Sequence, residues 1–232
     1  LLGGCTLAKF IVIVSMKIKI EVPETLSDIT LNQYQRYLKA IDGEHTEDFI
    51  KQKTIEVFCN IDFKNLATIK VSSLNRIYNK INNLFNDNYE LITTFKLKGK
   101  KYGFIPDLSA MTLGEFIDLD TTISDWESMH KSMGVLFRPI KQKINKKYLI
   151  EDYEGYSKNL LKEIPLDVAL GAFGFFWTLS NELMINTQNY LAKQMDNPTS
   201  QQVQDLQSAG VGFNQFMQWQ KEISSNLITL QS

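Results

Sequence analysis

Two cysteines, Cys5 and Cys59, and two histidines, His45 and His130, are all that 232 residues hold of either type. This scarcity excludes a disulfide framework and leaves a His/Cys metal cluster short of ligands. An excess of either charge is missing too, since 25 Lys+Arg face 26 Asp+Glu and the formal net charge is −1. That balance argues against a protein built around long-range attraction to nucleic acid or anionic lipid. With only 5 Pro and 12 Gly the chain is neither collagen-like nor dominated by loops. Long apolar runs are absent as well. Phe10-Ile11-Val12-Ile13-Val14 falls below the roughly 7–15 residues of a signal-peptide core, and Asp167, Asn181 and Glu182 interrupt the stretch from Leu166 to Leu191 before the ~20 residues a span needs. What is plentiful is rings: 14 Phe, 9 Tyr and 3 Trp, in a chain long enough for one large domain or two small ones.

Residues 1–15 precede the first methionine, Met16, where a clean pattern begins. They are expected to be a non-native extension and are set aside, the competing readings being a short strand or an anchor. Lys17 to Val22 alternates charged and apolar residues up to Pro23, the pattern of a strand with one wet face. Leu31, Tyr34, Leu38 and Ile41 then fall at helical spacing behind Thr30, with Gly43 beyond the end. A second helix over His45 to Asn60 is expected to open at Thr46 or Asp48. A third carries Leu74, Ile77, Tyr78, Ile81, Leu84 and Phe85 on one stripe. Leu91 to Ile105 reads as a hairpin turning at Lys98-Gly99-Lys100-Lys101.

From Thr112 the texture becomes helical. Thr112 with Glu115 forms a capping-box pattern opening a helix through Phe116, Ile117 and Leu119. Ser124 with Glu127 repeats it before Trp126, Met129, Met133, Leu136 and Phe137, with Pro139 as the stop and Lys141 to Lys147 as a basic loop. Pro165 starts the longest apolar stretch, whose hydrophobic residues surround most of the helix and predict a buried, central one. After Asp196-Asn197-Pro198 comes a Gln-rich tail ending in an amphipathic run of Phe213, Phe216, Trp219 and Ile223. The expected organisation is a globular domain over 16–195 and a helical extension over 196–232. The fold class is α+β, predominantly helical, with a small antiparallel sheet made from the first strand and the hairpin, and a helical bundle.

Active-site chemistry is hard to find. No Gly-x-Ser-x-Gly elbow exists, and neither phosphate-loop pattern occurs, since Gly210-Val211-Gly212 lacks the third glycine. His130 with Glu127, Asp118, Asp120 and Asp125 could be imagined as a metal site, but acids placed before Thr121 and Trp126 read as helix caps and solvated faces. Neither a metal nor a cofactor is expected. The clusters Lys98–Lys101 and Lys141–Lys147 read as solvated turns rather than nucleic-acid contacts, given the balanced net charge. Gly171-Ala172-Phe173-Gly174 is read as small-residue packing that lets a neighbouring helix approach closely.

A set of ordered short motifs remains: Met111-Thr112-Leu113-Gly114-Glu115-Phe116-Ile117-Asp118-Leu119, then Trp126, Val135-Leu136-Phe137-Arg138-Pro139-Ile140, Tyr153-Glu154-Gly155-Tyr156, and Pro165-Leu166-Asp167-Val168-Ala169-Leu170-Gly171-Ala172. Together with the opening strand and Leu31-Asn32-Gln33-Tyr34, this order resembles tail assembly proteins of tailed bacteriophages, often described as tail assembly chaperones, over residues 16 to 195. The resemblance implies a non-enzymatic protein of the host-cell cytoplasm or the virion. It also implies binding to another tail component, such as the tape measure, and leaves self-association open. It brings no catalytic residues.

Two rivals are a structural virion protein (a ring, connector or baseplate component) and a metal-dependent enzyme using scattered carboxylates such as Glu115 and Asp118. The residues themselves suggest that Arg138, in the last turn of a helix, clamps the Glu115/Asp118 face. The aromatic stripe Phe213, Phe216, Trp219 and Ile223 is the expected partner contact.

Overall fold

The computed structural model describes residues 10–14, 18–86, 89–144, 147–155 and 158–179. The fold is α+β and mainly helical, with small antiparallel sheets. The chain groups into two compact units, one of residues 1–88 with 162–167, the other of 89–161 with 168–232. No helix among the described residues is long and apolar enough to cross a membrane.

In the first unit, β1 (Phe10–Val14) pairs antiparallel with β2 (Ile18–Val22), Val12 opposite Ile20. Within the segment set aside in the sequence, residues 10–14 therefore form a strand. It is also β2's partner in a separate two-stranded sheet, so the first strand does not join the later hairpin as expected. Helix α1 (Leu31–Ala40) opens with Thr30 accepting from the Gln33 N–H at 3.1 Å, while Gln33 Oε1 accepts from the Thr30 N–H at 2.9 Å. Its buried residues are Leu31, Tyr34 and Tyr37, each three positions apart. Tyr37 packs 4.9 Å from the ring of Phe58 in α2 (Glu47–Phe58), which Thr46 caps. After the short α3 (Phe63–Leu66), α4 (Val71–Asn83) buries Ile77, Tyr78 and Ile81, the centre of its predicted stripe. The unit is closed from far along the chain: Leu31 N–H donates to Ile164 O at 2.9 Å and Leu166 N–H to Ile29 O at 2.8 Å, around a Thr30–Pro165 bridge.

The second unit is built on a four-stranded antiparallel sheet in the order β3 (Thr94–Leu97), β4 (Lys100–Phe104), β5 (Phe137–Ile144), β6 (Lys147–Ile150). The first hairpin turns on two residues, Lys98 (φ 47°) and Gly99 (φ 80°), a mirror-image turn that suits strand twist, so Lys100 and Lys101 are strand residues rather than turn. Helices α5 (Leu113–Thr122) and α6 (Met129–Leu136) precede β5.

Three expectations fail here. The Ser124/Glu127 box does not open α6, which starts at Met129, because Asp125 instead accepts the Glu127 N–H at 2.9 Å and holds the segment in turns. Pro139 does not stop a helix, since the helix ends at Leu136 and Phe137 is already extended (φ −121°, ψ 125°). The basic loop is the β5–β6 hairpin. Proline is tolerated inside β5 because it stands beside a register shift between Ile140 and Gln142, where a ladder can do without its N–H.

The last described helix, α7, covers 166–179. Leu166, Val168, Ala169, Leu170 and Ala172 are buried, whereas Phe175 and Phe176 are half-buried and Leu179 is exposed. Only its first half is central. A Cβ on Gly171 would collide with the carbonyl oxygen of Glu90, so the neighbour that the small residues admit is an irregular stretch of chain rather than a helix.

Candidate partner-binding site

Helix α5 is capped by Thr112, whose hydroxyl oxygen accepts from the Glu115 N–H at 3.3 Å. Glu115 answers through Oε2, which accepts the Thr112 N–H and hydroxyl at 2.7 Å each. Its other oxygen, Oε1, lies 2.7 Å from Arg138 Nη1, and the two side chains are 5% and 13% exposed. Burial pushes the Glu115 carboxyl up, but the Thr112 hydrogen bonds and then the Arg138 charge outweigh it, and the group sits below its usual range.

Arg138 reaches Glu115 from strand β5, where a side chain stands off the sheet, and not from a helix end. Asp118 is not part of that ion pair. Its Oδ2 accepts from the Tyr153 hydroxyl at 2.6 Å, and the Arg138 guanidinium carbon lies 5.8 Å from the centre of the Tyr153 ring. Below them the Thr122 and Ser132 hydroxyls, both buried, meet at 2.7 Å. A polar cleft of about 470 Å³ opens beside Arg138, with Tyr153 and the exposed Lys141–Asp152 ion pair (2.8 Å) also in its wall.

This inward face of α5 (Glu115, Asp118, Leu119, Thr122) fixes what points outward. Leu113, Phe116 and Ile117 are 74%, 57% and 52% exposed. Their i, i+3, i+4 spacing lays them side by side on one helix face. Three neighbouring large apolar side chains left in water are the kind of patch that marks an interaction surface. Sequence reasoning ran the helix through Phe116, Ile117 and Leu119 without separating an inward face from an outward one. The available warning was that Leu113, Phe116, Ile117 and Leu119 cannot all share one face of a helix with 3.6 residues per turn. Tyr153 was missed as a partner of Asp118 because no local spacing joins residues 35 apart in sequence.

Among the described residues no group of three or more His, Cys, Asp or Glu is placed to hold a metal ion. Phe213, Phe216, Trp219 and Ile223 lie outside the described residues. Comparison with protein-family models, with curated proteins and with solved structures gives no match in any of the three.

Proposed function

We propose that this chain is a non-enzymatic bacteriophage tail assembly protein that holds another tail component during morphogenesis. The reading starts from the resemblance of its ordered motifs, and one observation carries it further: the first motif, Met111 to Leu119, turns Leu113, Phe116 and Ile117 out to solvent. A helix fixed to its own sheet by an ion pair, with apolar side chains on its free face, suits the helix-in-groove mode of recognition. The partner would bring an apolar groove or helix of its own.

The test pairs a variant with a census. Leu113→Asp/Phe116→Asp should keep the far-ultraviolet spectrum and melting curve of the parent and lose co-purification with tail components from infected cells. Quantitative mass spectrometry of gradient-purified particles beside the infected lysate then separates the two assembly roles. Abundance in the lysate with none in the particle supports a chaperone, whereas a fixed copy number in the particle makes this a structural component. Undiminished co-purification of the variant would remove α5 from the interface.

A further inference from the structure

The two lysine clusters are far apart in sequence but meet in the fold. Residues 91–105 and 137–150 contain no Asp or Glu. Strand β4 pairs with β5 antiparallel, Tyr102 opposite Pro139 and Phe104 opposite Phe137, so the β3–β4 turn and the β5–β6 turn lie at the same end of the sheet. That end collects Lys96, Lys98, Lys100 and Lys101 from one hairpin and Lys141, Lys143 and Lys147 from the other, all exposed. Among them Lys141 is paired, with Asp152.

Lys96 and Lys101 stand directly opposite each other across β3 and β4, an arrangement of like charges that weakens a hairpin. A sequence that breaks a local rule without local compensation does so most often where function requires it. Four strands at roughly 4.8 Å spacing make this basic end about 15 Å across.

We propose that this end of the sheet is a docking surface for a short acidic segment of a partner protein. The alternative polyanion is nucleic acid, and two observations disfavour it. Phe95 stacks on Tyr102 at 5.4 Å with Tyr102 buried, so this ring pair between the lysines presents no open face to bases. A long phosphate chain would also run past Glu151, Asp152 and Glu154, which follow β6 directly, in a chain whose net charge is −1. A short acidic segment can engage the lysines other than the already paired Lys141 without extending along those acids, and screening at physiological salt, over about 8 Å, limits their repulsion. The surface is separate from the α5 stripe, and the inference does not depend on a role in tail assembly.

The test uses the full chain and a fluorescent octa-glutamate peptide, with a 15-nucleotide single strand and a 15-base-pair duplex of DNA as comparison probes. Saturable peptide binding that weakens steeply between about 50 and 200 mM salt is expected. Lys100→Gln/Lys143→Gln should weaken it about tenfold, and Lys64→Gln, outside the patch, should leave it unchanged. Lys96→Glu gives a signature that a purely structural lysine would not: it places opposite charges across the hairpin, so the melting temperature should rise while peptide affinity falls. Absence of saturable peptide binding at low salt, or unchanged affinity in Lys100→Gln/Lys143→Gln, would overturn the proposal. Tighter binding of either DNA probe than of the peptide would overturn it in favour of nucleic acid.

Discussion

Both carboxylate oxygens of Glu115 are engaged by the protein: Oε2 closes the α5 cap and Oε1 meets Arg138. Removing the arginine therefore does more than delete an attraction, since it strands a carboxylate whose side chain is 5% exposed. Arg138→Ala should cost about 3 kcal/mol, the lower end of what breaking a buried pair costs, read as a lower melting temperature. The double variant Glu115→Leu/Arg138→Met should lose less than the single one, because both charges then leave together. An unchanged melting curve for Arg138→Ala with lost partner binding would make Arg138 a contact residue instead.

The same carboxylate gives a pH dependence. Its folded-state pKa lies below the usual 4.5, so its stabilisation is present above about pH 4.5 and is lost as pH falls through the folded value. Unfolding free energies of the parent and of Glu115→Gln should accordingly differ at pH 6 and draw together as pH falls below 4.5. A gap that does not narrow with falling pH would trace the effect to shape rather than charge.

At the scale of elements, α7 offers a matched pair of glycines. A Cβ at Gly171 runs into the Glu90 carbonyl, whereas at Gly174 the nearest atom is the Tyr89 carbonyl oxygen at 3.6 Å, an ordinary contact. Gly171→Ala should destabilise by roughly 1–3 kcal/mol through overpacking against backbone that cannot yield. Gly174→Ala should be neutral, or stabilise by up to about 1 kcal/mol from helix propensity. Thermal melts of the two variants, side by side, check the contrast.

Elements that announce themselves locally were legible in the sequence. Thr30, Thr46 (one of two starts considered, with Asp48), and Thr112 with Glu115 each sit where their helix starts, because a cap is chemistry confined to four residues. Strands β5 and β6 were not. Ile140, Gln142 and Ile144 alternate with Lys141 and Lys143, a period-two signal that Pro139 and the density of lysines obscured. What makes the segment a strand is pairing with β4, some 35 residues earlier, and no local pattern encodes that. The Arg138–Glu115 contact was anticipated from the wrong element. The cation and the buried carboxylate were visible, but the geometry that joins them was not.

At the scale of the whole molecule, the proposed assembly role has two candidate contact surfaces, the α5 stripe and the segment beyond residue 198. Under the proposed assembly role, deleting residues 199–232 should leave a cooperative unfolding transition and weaken binding to the proposed tail partner, measured by co-purification beside the Leu113→Asp/Phe116→Asp variant. Loss of the transition would place Phe213, Phe216, Trp219 and Ile223 in the core. Full binding after deletion would leave the α5 stripe as the capture surface.

The first unit also carries a constraint of timing. Its helices precede residue 89, yet the strip that seals it, residues 162–167, comes after the second unit's four-stranded sheet and its helices α5 and α6. On a translating ribosome at about 5–20 residues per second, the early helices wait several seconds, with Leu31 and Ile29 lacking their partners Ile164 and Leu166. During that interval its aromatic residues are open to strangers. The helices of the first unit are made well before the strip that completes them, so a slow stretch of translation between residues 89 and 161 would lengthen their exposure to aggregation, whereas one after that strip has left the ribosome would not.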